Sequence, residues 1–111
     1  MRTIAGGEPT SIVRGGMLDN VLKQAVDENG LLKELSVNSG EGLSVPELAS
    51  YPAVPRYGRI SVTTVEDLVG RGGTITPNPL EGNPYHPLIL GITPQDLVDI
   101  MEEMANPSKM P

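Results

Sequence analysis

Cysteine, phenylalanine and tryptophan are absent from this chain, and histidine occurs once, at position 86. Without cysteine there are no disulfides, thiolate metal ligands or cysteine nucleophiles. Without Phe or Trp the core has to come from Leu, Ile, Val, Met and Ala, and Tyr51, Tyr57 and Tyr85 are the only aromatics. Basic residues are scarce as well: eight Lys and Arg stand against fourteen Asp and Glu, a net charge of −6. General nucleic-acid binding depends on neutralising phosphates, so this balance disfavours a broad nucleic-acid surface and leaves room for a small phosphate site. No apolar run approaches bilayer-spanning length, and no membrane insertion is expected. The start, MRTIAGGEPTSIVRGG, lacks the long apolar core of a signal peptide, so export would need a signal elsewhere on a larger parent chain. One His, no Cys and no acidic grouping beside His86 predict neither a metal nor a cofactor.

What is present fits one small domain. Thirteen glycines and eleven prolines in 111 residues imply many turns and short elements. Residues 1–11 read as a flexible lead-in, with 12–111 as a single α+β domain. SIVR reads as a short edge strand. In GMLDNVLKQAVDENG, Leu18, Val21, Leu22, Ala25 and Val26 share one helical face, predicting a helix of about three turns stopped at Gly30. Leu-Ser-Val at 35–37 and again at 43–45 reads as two brief extended pieces. Ser44 with Glu47 forms a capping box, with Pro46 in the first turn, and predicts a short helix over 45–50.

GRISVTTVEDLVGRGGTITP reads as strand, helix and strand. The strand covers 59–62, a Thr63–Glu66 capping box starts a helix over 64–69, and the second strand is GTITP. The crossover would be right-handed if the strands are parallel. HPLILG is a third strand, whose continuous apolar run suggests burial on both sides. TPQDLVDIMEEM is the second clear helix, with Thr93 as cap, Pro94 at the first position and a Leu97, Ile100, Met101, Met104 stripe. The expected fold class is α+β: a small mixed sheet of three to four short strands with two main helices packed on it.

His86 is the foremost candidate for chemistry, since an imidazole near neutral pH can take or give a proton. It lies where a Gly/Pro loop meets a strand, and Asn83 and Tyr85 are placed to orient a substrate. The structural reading is a strand-end histidine bonded to nearby backbone. Arg56 and Arg59 have no acid between positions 48 and 65, and Thr63 and Thr64 stand where a helix begins, so this stretch is a second candidate, for phosphate. Its structural reading is two caps and two surface ion pairs. SVNSGEG lacks the glycine spacing and lysine of a phosphate-cradling loop and is explained by turn chemistry. Glu66-Asp67 and Glu102-Glu103 are neighbours on helices and do not face one site.

Three phrases together carry a family likeness: DENGLLKELSVNSGEGLSVPEL, YGRISVTTVEDLVGRGGTITPNPLEGNPYHPLILGITPQDL, and NPSK. They resemble small C-terminal modules of bacterial polymorphic toxins, the variable tips of filamentous-haemagglutinin, contact-dependent inhibition and Rhs-type proteins. The likeness spans roughly residues 17–109. It implies an effector with a cognate immunity protein, secreted as part of a larger bacterial protein and acting in a target cytoplasm, and many such tips are nucleases. It carries no catalytic set onto particular residues. The chain departs from the pattern after GITPQDL, where VDIMEEMANP lacks the aromatic expected before the final Asn-Pro, and its acidic balance is unusual for a nuclease.

The expected function is therefore a toxin-tip-like effector acting on nucleic acid or a nucleotide. Its most concrete form is a metal-independent ribonuclease with His86 as the acid–base group and Tyr85 or a carboxylate as partner. Arg56 and Arg59 would bind phosphate, and Thr63, Thr64 and Asn83 would orient substrate. The rival expectation is a non-catalytic protein-interaction module, such as an immunity or accessory partner, which the negative charge favours.

Overall fold

The computed structural model describes residues 9–109. Residues 1–8 of the expected lead-in lie outside them, and Ser11 already opens strand β1 (Ser11–Gly15). Ile12 and Val13 are both fully buried, although neighbouring strand residues face opposite ways. Ile12 joins a cluster with Val21, Leu35, Leu68, Ile89 and Leu97, whereas Val13 joins Leu48, Ala49, Val54 and Ile60. β1 is thus covered on both faces and central in its sheet, where the sequence suggested an edge.

The next predicted helix is much shorter than its apolar stripe. Helix α1 (Leu18–Leu22) stops after five residues. Side chains then satisfy backbone groups locally: Gln24 donates to the Asn20 carbonyl, and the Asp27 carboxylate accepts from the amides of Asn29 and Leu31. Such bonds offer the chain an alternative to helix. Val26 ends up exposed and bridged to Leu32 instead of on a buried stripe.

Residues 35–39 run extended as β2 (Leu35–Ser36) and β3 (Asn38–Ser39). The second Leu-Ser-Val forms no strand; Ser44 caps and Val45 opens helix α2 (Val45–Ala49). Ser44 Oγ accepts from the Glu47 amide, and the Glu47 carboxylate accepts from the Ser44 amide at 2.7 Å. A 3-10 turn, Val54–Arg56, leads to β4 (Arg59–Thr64) and α3 (Val65–Gly70). The α3 cap is Thr64, whose hydroxyl accepts from the Asp67 amide, one position later than the expected Thr63. The remaining elements are β5 (Thr74–Pro77), β6 (Pro87–Leu90), α4 (Pro94–Ile100) and β7 (Glu102–Ala105).

The class is α+β, as the sequence indicated, with two antiparallel sheets among the described residues. One has the order β3-β1-β4-β7, the other β2-β6-β5. β4 and β5 fall in different sheets, so the strand–helix–strand unit is no parallel crossover. The sheets meet along residues 35–39, where the Val37 and Ser39 amides donate to the carbonyls of Pro87 and Tyr85. That segment holds β1 on one side and the His86 strand on the other, and so fixes Arg14 and His86 relative to each other. β6 is central in its sheet, but its burial alternates, with Pro87 and Ile89 buried and Leu88 and Leu90 only partly so.

The last helix also differs from the stripe. It ends at Ile100, and residues 102–105 pair with β4 in the register Ile60↔Met104. Met104 packs there against the Val13 cluster, so strand pairing and tertiary burial override helix propensity. Among the described residues no helix is long and apolar enough to cross a membrane.

Candidate functional site

His86 immediately precedes β6. Its carbonyl accepts from the Asn78 amide, and its ring Nδ1 lies 3.0 Å from the Asn78 carbonyl oxygen. A carbonyl only accepts, so Nδ1 carries the proton and, in the neutral ring, Nε2 keeps its lone pair. The loop across from it is shaped by a turn in which Leu80 and Asn83 exchange backbone hydrogen bonds around Gly82, at φ +84°.

The partly buried imidazole forms part of the wall of two cavities. One, of about 360 Å³, is lined by Arg14, Arg56, Tyr57, Glu81, Asn83 and His86 among others. The other, of about 250 Å³, is lined largely by apolar groups, with Tyr85 and Glu41. The first is a cationic cavity and the second an apolar one.

Arg14 sets the character of the first. It follows Ile12 and Val13 in β1 and is carried inward with them. Its Nη1 donates to the Ser36 carbonyl at 2.9 Å, and its Nε is sealed from solvent with no hydrogen-bond partner among the described residues. Burial pushes its pKa down, an effect opposed by nearby Tyr57. Arginine nevertheless stays protonated in proteins. Among the described residues it has no carboxylate within ion-pair distance, whereas Arg59 pairs with Glu103 at 3.4 Å and Arg71 with Asp96 at 3.3 Å. A buried charge is normally paired, because leaving water is costly.

Arg56 sits at the cavity's exposed side with its guanidinium carbon 5.4 Å from the Tyr57 ring centroid, within cation–π range. The Tyr57 ring in turn lies directly on Gly15, where a Cβ would overlap it. The glycine after Arg14 therefore admits the ring that holds Arg56. With two guanidiniums and one carboxylate, Glu81, the cavity is locally positive inside a chain of net charge −6.

Asn83 is buried and fully engaged by the fold. Its amide nitrogen donates to Asn38 Oδ1 at 2.9 Å and to the Pro52 carbonyl at 2.6 Å, and its oxygen accepts from the Tyr85 amide. Asn38 passes the network on to the carbonyls of Leu48 and Tyr51. Tyr85 meets Tyr51 edge to face, centroids 5.2 Å apart.

Of the residues singled out in the sequence, His86, Arg56 and Asn83 thus share the cationic cavity, and Tyr85 shares the apolar one with His86. Arg59, Thr63 and Thr64 line neither. Arg59 is in its ion pair, Thr64 caps α3, and Thr63 is buried in β4, its hydroxyl without a partner among the described residues. Sequence reasoning passed over Arg14, Tyr57 and Glu81. The available signal was an arginine inside an apolar strand phrase, followed by two glycines. Among the described residues no group of three His, Cys, Asp or Glu side chains is placed to hold a metal ion. Compared with protein-family models, curated proteins and solved structures, the chain finds no match.

Proposed function

We propose that the cationic cavity binds a phosphodiester of single-stranded RNA and that the protein is a toxin-tip-like, metal-independent ribonuclease. The observation that carries this reading is Arg14: a largely buried guanidinium that has no carboxylate partner among the described residues, in one cavity with Arg56 and the lone histidine. An oxyanion in that cavity supplies the missing counter-charge.

The chemistry follows from the imidazole's tautomer. Nδ1–H is committed to the Asn78 carbonyl, so Nε2 accepts the proton of a 2′-hydroxyl. The 2′-oxygen bonds to phosphorus, the bond from phosphorus to the 5′-oxygen breaks, and the departing oxygen takes a proton from water. The products are a 2′,3′-cyclic phosphate and a 5′-hydroxyl, and His86 then releases its proton to solvent. Arg14 and Arg56 face the charge that builds on phosphorus, which is where fixed cations lower a barrier most. The net charge of −6 opposes long polyanions at a distance, so short or flexible single strands suit the site better than duplexes.

The test is incubation of purified protein with one sequence as RNA and as DNA. The expected result is RNA cut to 2′,3′-cyclic ends, intact DNA, and a loss of roughly 10²-fold or more in rate for His86→Ala, the usual range for removing a general base. Expression of wild type and His86→Ala in a bacterium gives the cellular counterpart, with growth arrest expected only for wild type. RNA left intact by the wild type, or cut equally by the variant, refutes the proposal.

The acidic balance favours one other reading, a non-catalytic module that docks on a partner protein as an immunity or accessory factor. It predicts a stoichiometric complex whose affinity is indifferent to His86→Ala.

A further inference from the structure

His86 also lines the apolar cavity, which the phosphate reading leaves unused. Val65, Ile75, Pro84 and the Tyr85 ring give it flat, greasy walls. The Tyr85 ring is fixed from two directions. Tyr51 meets it edge to face, and Gly40 lies so close that a Cβ there would come within 2.7 Å of the ring. Glu41 is also in its lining, and among the described residues no lysine or arginine is. Among the described residues the two linings share only His86, and they are opposite in character: one carries guanidiniums, the other flat apolar groups and a hydrogen-bond-accepting carboxylate.

We infer that the apolar cavity is a nucleobase subsite that stacks a base against Tyr85 and selects guanine through Glu41. This rests on the phosphodiester reading of the neighbouring cavity and deepens it by naming which nucleotide precedes the cleaved bond. Aromatic side chains bind unstacked bases through their π faces, and specificity then comes from hydrogen bonds to the base edge. A carboxylate only accepts. Guanine presents two adjacent donors, N1–H and the N2 amino group, which match the two carboxylate oxygens. Adenine and cytosine place a ring-nitrogen lone pair beside their amino group, and uracil flanks its single N–H with two carbonyls. Each of those sets a lone pair against the carboxylate.

The experiment uses the lone histidine as its reporter, because His86 borders both cavities. The whole protein is titrated with inorganic phosphate, with each of the four nucleosides, and with guanosine 3′-monophosphate, while the His86 and Tyr85 ring resonances are followed by NMR. Guanosine is expected to bind about tenfold or more tightly than the other nucleosides, the discrimination that one bidentate contact gives. Glu41→Gln, at an exposed position that the fold does not depend on, is expected to abolish that preference. Tyr85→Leu keeps apolar bulk, removes the flat ring, and is expected to weaken every nucleoside. Phosphate binding with no response to any nucleoside overturns the base subsite and leaves the phosphate reading standing. Guanosine binding without phosphate binding overturns the phosphate reading and keeps the subsite. Equal binding of all four nucleosides, unchanged in Glu41→Gln, overturns the guanine assignment.

Discussion

Replacing Arg14 by methionine separates a residue kept for function from one kept for folding. Methionine retains an unbranched apolar stem of similar reach, so the packing made by the arginine's methylenes is largely preserved. Three electrostatic effects then compete. The Nε donor, buried without a partner, disappears; an unmet buried donor costs about 1–3 kcal/mol. The desolvated charge disappears as well, in the same favourable direction. Against these, the Nη1 bond to the Ser36 carbonyl is lost. A bond from a charged donor is worth about 1.5–3 kcal/mol. Ser36 is exposed, so its carbonyl turns to water and the loss falls toward the low end. The sum favours the variant by about 1 kcal/mol, or about 4 °C in Tm for a domain of this size. Thermal unfolding followed by circular dichroism reads that term, and a phosphate titration at the His86 ring resonance reads the other. Arg14→Met is expected to be as stable as wild type or more so, and to have lost phosphate binding. A variant destabilised by more than about 1 kcal/mol that still binds phosphate refutes the reasoning, because Arg14 would then be a satisfied structural residue.

Asn83→Ala leaves Asn38 Oδ1 and the Pro52 carbonyl without their shared donor and is expected to cost about 3 kcal/mol in urea unfolding. Ile89→Ala, at a fully buried centre of the larger cluster, is expected to cost about 3–4 kcal/mol by the same measurement. Thr93→Ala removes the acceptor of the Asp96 amide at the start of α4 and is expected to cost about 1 kcal/mol. The Glu47 carboxyl is held below the usual carboxylate range by its hydrogen bonds to the Ser44 amide and hydroxyl. Its contribution is therefore present above the unfolded value and lost as pH falls through the lower folded one, and Glu47→Gln removes that slope from an acid titration of stability.

The elements that could be read correctly are those specified within a few residues. Ser44 and Glu47 close their box three positions apart, and Thr93-Pro94 starts α4 where the sequence put it. The misread elements were decided by distant partners. Residues 102–105 carry a helical stripe, yet Met104 lies opposite Ile60 in a strand pair that local periodicity cannot contain. Leu22 and Val26 complete a helical face on paper, but the side-chain bonds of Gln24 and Asp27 end the helix before that face is built. β1 read as an edge because five residues with only two apolar side chains look half-buried. Burial of adjacent Ile12 and Val13 on opposite faces requires a layer on each side, which only the assembled sheet supplies.

The site reverses the same lesson. Folding chemistry within the loop explains Gly82 and the prolines and leaves His86, Asn83 and Tyr85 over, which made all three look functional. Asn83 nevertheless belongs to the fold, because its main partner, Asn38, lies 45 residues away. Arg14 shows the converse. In sequence it ends an apolar phrase and reads as the solvent end of a strand, a place where arginine needs no explanation. Only pairing of β1 with the 35–39 segment carries it under cover, and only absence of a nearby carboxylate among the described residues makes that burial costly. A polar side chain in a cavity wall points to function when the fold leaves it unsatisfied, not when local sequence leaves it unexplained; Thr63, unsatisfied but away from both cavities, does not meet that test. By that criterion Asn83 is a structural residue in the cavity wall, and Arg14, in one cavity with His86, is the group whose removal should cost binding and not stability.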